Sequence, residues 1–305
     1  IDDKKQTLGT SANMAEVGDL LTGAFDLFKE KLKPLLIIAI SSQAIVLALQ
    51  FGIAYLFGFD QLDPSAIGDI SDSAFFSMGR NIMGVSTLVT VLSTVVQSWA
   101  AVAILYVITD KTNSIGAVEA VQQATSKLFP YLAVIFTVMI ILAGAFIFLI
   151  APGLIVSVWL VFSVYVMFEE NTSVVESIKR SREYVRGYWW PVVGRMFVLG
   201  LITSVVGWIT GAVNVGVIGL TSFGGIEHQI SNVLSSLAAS VAYPFSLIFT
   251  YLMYKDLKNI KGNLSTEATP TWMFVLFAIV GVFVFGLLYL GFFLLSGDQS
   301  RVLLP

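Results

Sequence analysis

Seven apolar stretches, each bounded by polar segments, run along the chain at residues 34–57, 82–108, 131–150, 154–168, 192–215, 230–254 and 272–295. A helix of about 20 apolar residues crosses the hydrocarbon core of a bilayer, so most of these stretches predict membrane-spanning helices. The fourth is short. It follows Ala151-Pro152-Gly153, a break that predicts the tip of a helical hairpin. Pro244 predicts a kink in the sixth stretch.

The segments ahead of the first, third and fifth stretches resemble one another. Residues 17–36 read VGDLLTGAFDLFKEKLKPLL and residues 174–193 read VVESIKRSREYVRGYWWPVV. Without gaps, Asp19 meets Glu176, Asp26 meets Glu183, Lys29 meets Arg186 and Pro34 meets Pro191. Residues 117–132, AVEAVQQATSKLFPYL, match through Glu119 and Pro130 and are four residues shorter, about one helical turn. In the third copy Val174, Ile178, Val185 and Tyr188 recur at helical spacing, with Val175 and Trp189 beside them, while Lys179, Arg182 and Arg186 fall on another face. Ser173-x-x-Glu176 predicts a capping box at its start.

Each copy therefore predicts an amphipathic helix, a proline and a transmembrane hairpin. The expected fold class is an all-α polytopic membrane helix bundle. Six core spans fill residues 16–258 as three parallel repeats, approximately 16–108, 114–168 and 173–254. A polar segment 1–15 precedes them, and a cytoplasmic linker 259–271, a seventh span 272–295 and an outside tail 296–305 follow.

Charge orients this pattern. With the N-terminus taken as cytoplasmic, every Lys and Arg of the seventeen except Arg80 and Arg301 falls on an inside segment. Basic residues accumulate on the cytoplasmic side, which predicts a cytoplasmic N-terminus and, with seven spans, an outside C-terminus. Charged residues make up 12% of the chain, against about 25% in a soluble domain, and a nucleic-acid partner is not expected without a basic domain. The chain has no cysteine, which excludes a disulfide framework, thiolate metal ligation and cysteine catalysis. Residues 1–15 lack the charged-then-apolar order of a signal peptide.

PGLIVSVWLVFSVYVMFEE, followed by SVVESIKRSREYVRGYWWPVVG, resembles the glycerophosphoryl diester phosphodiesterase membrane-domain family and its stand-alone bacterial and archaeal relatives. The resemblance is carried by Pro152-Gly153 at a hairpin tip, Glu169 or Glu170 closing the next span, and Arg180-Ser181 in a basic helix. Gly187 with Trp189 or Trp190, and Tyr254-x-Asp256-Leu257 ending the sixth span, complete it. It covers roughly residues 15–260, and the seventh stretch departs from the family's six-span pattern. It implies a fold, the plasma membrane of a prokaryote, and lipid-related or envelope roles. It implies no hydrolysis, which in the fused enzymes belongs to a separate soluble domain that these 305 residues do not contain.

The candidate binding residues are Lys179, Arg180, Arg182, Arg186, Tyr188, Trp189, Trp190 and Arg195, at the expected inner interface. A basic residue near an anionic leaflet contributes about 1 kcal/mol, and Trp favours the headgroup level. The expected partner is membrane lipid, preferentially anionic. The competing reading is an ordinary interfacial anchor whose field is reduced by Glu176–Arg180 and Glu183–Lys179 pairs at i,i+4 spacing. Arg195, about one turn into the fifth span, is expected to snorkel to the interface.

Within the spans the polar groups are Gln43, Gln50, Gln97 and Asn214, read as interhelical hydrogen bonds or as the lining of a path. The span interiors hold no ionisable residue, which argues against an ion-coupled pump. The aromatics of the seventh stretch, Phe274, Phe277 and Phe283 among them, offer a docking face for a protein partner.

No phosphate-binding loop, nucleophile elbow or convergent acid, base and nucleophile is present. A non-enzymatic protein without cofactor or metal is expected. His228, beside Glu227, reads as an exposed loop residue, and Asp60, Asp63, Asp69 and Asp72 lack the alternating oxygen ligands of a calcium loop. The expected function is binding of anionic headgroups in support of lipid homeostasis or envelope integrity. An accessory subunit of a membrane complex, or a transporter or channel for lipids or small amphiphiles, are the other readings.

Overall fold

The computed structural model describes residues 14–57, 72–112, 114–218, 226–262 and 271–297, and these form α-helices with no strand. In chain order they are α1 (Val17–Glu30), α2 (Leu32–Leu56), α3 (Asp72–Thr109), α4 (Ala117–Phe148), α5 (Ile150–Leu160), α6 (Ser163–Glu170), α7 (Val174–Val185), α8 (Trp189–Ile218), α9 (Ile226–Lys261) and α10 (Trp272–Gly297). Six stretches are long and apolar enough to cross a membrane: Leu32–Leu56, Gly84–Thr109, Ala117–Ile147, Ile150–Glu170, Trp189–Ile209 and Val233–Lys261. The protein is a multi-pass all-α helix bundle. The seventh expected span is α10, whose described apolar stretch is the shorter Trp272–Leu287.

Local chemistry sets the boundaries. Ser173 caps α7 by accepting from the Glu176 backbone N–H at 3.3 Å, as the capping-box spacing predicts. Past α7, Gly187 takes φ +84, a left-handed conformation that a residue with a Cβ adopts only at a cost. In the first and third copies the chain breaks at Lys31 and at 186–188, and Pro34 and Pro191 sit in the first turns of α2 and α8. There a missing N–H removes no helix bond. In the corresponding middle segment α4 runs unbroken through Pro130.

Three further boundaries differ from the sequence reading. The hairpin between α4 and α5 turns at Leu149, which is extended, and Ala151, Pro152 and Gly153 form the first turn of α5. The fourth span is therefore longer than expected, at Ile150–Glu170, and is interrupted at Val161 and Phe162. Ser181 of α7 satisfies that interruption, accepting from the Phe162 N–H at 3.1 Å and donating to the Trp159 carbonyl at 2.6 Å. Finally, α9 passes Pro244 as one helix and continues to Lys261, into the expected linker.

The core lies toward one end of the bundle. From Ala100 to Leu105 and at Val107 and Ile108, α3 is buried on all sides, against Ile248, Phe249, Met253 and Leu257 of α9 and Phe162, Val166 and Met167. At this end stand Lys29, Lys31, Lys127, Arg180, Lys255 and Lys258, so it is the basic end. Toward the other end Leu88, Val91, Leu92 and Val95 of α3, and Leu201, Val205, Trp208 and Ile209 of α8, are exposed. In water such apolar exposure would be costly, whereas lipid accepts it.

α10 docks on α4 through glycine. A Cβ on Gly144 would stand 1.8 Å from the Phe277 carbonyl oxygen, and one on Gly281 would stand 2.3 Å from that of Ile140. Small residues let membrane helices approach this closely. Phe274 and Phe277 enter a second core with Ile141, Ala145, Val156, Leu160 and Ile178. Two aromatics expected to offer a face to a partner are thus used by the chain itself, while Phe283 and Phe285 stay exposed.

Candidate functional site

At the basic end, Glu169 and Glu170 close α6 and gather α7 and α9 around them. Glu170 accepts hydrogen bonds from the hydroxyls of Tyr184 at 2.7 Å and Tyr254 at 2.8 Å, and pairs with Arg180 at 2.6 Å and Lys258 at 3.2 Å. Glu169 accepts from Tyr251 at 2.7 Å, Lys255 at 3.0 Å and Lys258 at 3.2 Å. Arg180 also meets Glu176 at 2.8 Å, and these two carboxylates, Glu176 before Glu170, raise its pKa further.

Buried charge is tolerated when paired and hydrogen-bonded, and both carboxylates are. Asp256 and Arg195 form a neighbouring clasp: Asp256 accepts from the Ala15 N–H at 2.8 Å, while Arg195 donates to the carbonyls of Ala15 and, at 2.9 Å, Pro191. Lys31 is buried and donates to the carbonyls of Val107, at 2.6 Å, and Asp110. Burial lowers its pKa, and the charges of Asp110 and Glu30 oppose that effect.

Several expected lipid contacts are therefore inside the bundle. Arg195, at 8% exposure, is held by backbone carbonyls and does not snorkel. The Arg182 guanidinium lies 4.8 Å from the Trp159 ring and 5.9 Å from that of Phe274, facing the α5 and α10 side of α7 where an outward face was expected. Arg180 is taken up by Glu170 and Glu176. Glu183 stands 3.5 Å from Arg186, at i,i+3. Tyr188 lies under Lys261, whose ammonium is 5.5 Å from its ring, and Trp189 packs edge-on against Trp190. Lys179, Arg186 and Trp190 retain access to the surroundings; Trp190 is 76% exposed and the Arg186 side chain 71%.

A second polar region lies within the membrane span, where α2, α3, α4 and α9 meet. It is a cleft of about 390 Å³. One wall is a stripe of α3, Thr90, Ser93, Thr94, Gln97 and Ser98, spaced as one helix face. Gln50 of α2, Tyr131 of α4 and Tyr243 of α9 line the rest. At about 1.5 Å per residue, Gln97 is about 18 Å from the basic end of α3 and Thr90 about 28 Å, so the cleft runs from about midway along the apolar stretch away from the basic end.

Gln97 donates to Gln43 at 3.0 Å, the interhelical bond that the sequence suggested. Tyr131 and Tyr243 form the floor. The Ser93 hydroxyl is buried without a partner. Beneath the floor, the Tyr165 ring lies 6.3 Å from those of Tyr251 and Tyr254, which hold Glu169 and Glu170. A layer of tyrosines thus separates the cleft from the basic end.

Of the sequence candidates, Gln50 and Gln97 line this cleft and Gln43 supports it. Asn214 is on α8, with its side chain outside the described residues, as are the side chains of Asp60, Asp63, Asp69, Asp72, Glu227 and His228. Sequence reasoning passed over the hydroxyls of α3 because Ser and Thr are common in membrane helices. Their i, i+3, i+4, i+7, i+8 recurrence was the available signal.

Glu170, Arg180 and Tyr254 share one network, and Ser181, Gly187 and Asp256 each hold a junction beside it. No protein-family model, no curated protein and no solved structure matches the chain.

Proposed function

We propose that this multi-pass membrane protein, oriented with its basic end toward the cytoplasm, holds the polar part of an amphiphilic molecule in the α2–α3–α4–α9 cleft. The observation that carries this reading is a contiguous uncharged polar lining within helices that otherwise face hydrocarbon. A polar group in an apolar medium costs several kcal/mol unless it is hydrogen-bonded, so the exposed Gln50 amide and the unpartnered Ser93 hydroxyl call for water or a polar ligand. The tyrosine layer and the carboxylate network close the cleft at the cytoplasmic side. Acyl or alkyl tails would stay in the surrounding lipid, against the apolar faces of α3 and α8. The role is binding or translocation of a lipid or small amphiphile, without chemical conversion.

The absence of cysteine makes the test direct. Single Thr94→Cys and Val91→Cys variants in proteoliposomes are treated with a membrane-impermeant methanethiosulfonate, which reacts with the thiolate and hence only in a wet site. Val91 is 55% exposed and does not line the cleft. The Thr94→Cys variant should label at least about tenfold faster, and equal slow rates would show a dry cleft and end this reading.

A second reading, binding of anionic lipid at the inner leaflet, is favoured by the exposure of Arg186 and Trp190. It rests on Lys179, Arg186 and Trp190, since Arg180 and Arg182 are engaged by neighbouring side chains and Arg195 is buried against backbone carbonyls. Its role would be support of membrane lipid homeostasis, and the two readings are compatible.

A further inference from the structure

The cleft presents neutral hydrogen-bonding groups, among them oxygens that can only accept. Thr90 donates its hydroxyl proton to the Ser86 carbonyl at 2.8 Å, and Thr94 donates to the Thr90 carbonyl at 2.8 Å. Each hydroxyl therefore turns only lone pairs toward the cleft. The Gln43–Gln97 bond consumes one donor and one acceptor internally. What remains are the Thr90 and Thr94 oxygens as acceptors, with Gln50, Ser93 and the tyrosine hydroxyls able to donate as well as accept, and the Ser93 hydroxyl is buried and unpartnered. No described Lys or Arg lines the cleft, and no described Asp or Glu does.

A phosphate or carboxylate is a poor match for this lining. It is an acceptor without protons to give, and its charge would lack a counter-charge in a medium of low dielectric. A hydroxyl-bearing neutral group matches on both counts, since each O–H donates to a threonine oxygen and its oxygen can accept from Ser93. About 390 Å³ accommodates a headgroup of sugar or glycerol size, within the range of small-molecule sites.

Building on the cleft reading above, we propose that the occupant is an uncharged polyhydroxylated lipid headgroup, a glycosyl or glycerol group on two hydrocarbon tails. Ser93, Thr90 and Thr94 form its recognition stripe. The tails leave the cleft past Val89 and Ile135, the apolar members of its lining, into the bilayer.

The test is native mass spectrometry of the full chain, titrated with a glucosyl diacylglycerol and with a phosphatidylglycerol of identical acyl chains. The glucosyl lipid should be retained preferentially. Ser93→Ala and Thr94→Val should each weaken its retention by about fivefold, the worth of one hydrogen bond. Phosphatidylglycerol retention should not change. Thr94→Ser, which keeps the hydroxyl, should retain most of the binding and so separates lost recognition from misfolding.

Equal or better retention of phosphatidylglycerol, or glucosyl-lipid retention indifferent to both substitutions, overturns the proposal. The same holds if sodium or potassium ions occupy the cleft in place of the lipid. If Thr94→Cys labels as a wet site while the lipid preference is absent, only the headgroup assignment fails. A dry cleft removes both readings.

Discussion

Replacing Glu170 by alanine tests whether the basic end is held by one buried carboxylate. Its side chain is 9% exposed and takes two tyrosine hydroxyls and two cations. The cations are the smaller part, because Arg180 and Lys258 are 29% and 28% exposed, and partly solvated pairs are worth about 0–1 kcal/mol each. The hydroxyls weigh more. Tyr184 and Tyr254 are both fully buried, and a hydrogen bond to a charged group contributes about 1.5–3 kcal/mol. Two such bonds together come to about 3–6 kcal/mol, which is the loss expected for Glu170→Ala.

Glu176→Ala is the matched control. It removes one ion pair with Arg180 from a side chain that is 29% exposed, so its loss should stay below about 1 kcal/mol. The assay is reversible SDS titration of detergent-solubilised protein followed by tryptophan fluorescence. A double-mutant cycle of Glu170→Gln with Tyr254→Phe should show coupling of about 1 kcal/mol, since the two groups touch. A Glu170→Ala loss no larger than that of Glu176→Ala would refute the view that this carboxylate organises the end.

Gly281→Leu should destabilise the protein by about 1–3 kcal/mol or more through overpacking against α4. Gly286→Leu, whose Cβ would meet nothing within 4 Å, should be neutral in the same titration, and equal effects would count against the glycine contact. For the inner-leaflet reading, Lys179→Gln with Arg186→Gln should reduce the phosphatidylglycerol carried through gentle extraction, read by native mass spectrometry. Unchanged retention would remove it.

The span pattern, the helical class and the clustering of basic residues at one end were legible in the chain, because membrane insertion depends on runs of apolar residues and on where charge interrupts them. The Ser173 cap was legible too, being a contact across three residues. What sequence alone could not assign was the partner of each polar group. Arg182 and Arg195 read as interfacial cations because helical spacing says which residues share a face but not which neighbour covers that face. Contacts from Trp159, Phe274 and the Ala15 carbonyl, all remote in sequence from the arginines, turned them inward.

The same limit hid the cleft. Gln50, the α3 hydroxyls, Tyr131 and Tyr243 belong to four helices, and each taken singly is an ordinary residue in a membrane span. Only the packing of α2, α3, α4 and α9, tight at the basic end and open beyond mid-membrane, places them around one polar space. Apolar patterning determines that helices enter the bilayer, since each helix satisfies that condition on its own. Which polar groups meet inside it depends on contacts between helices, and those exist only once the bundle has formed.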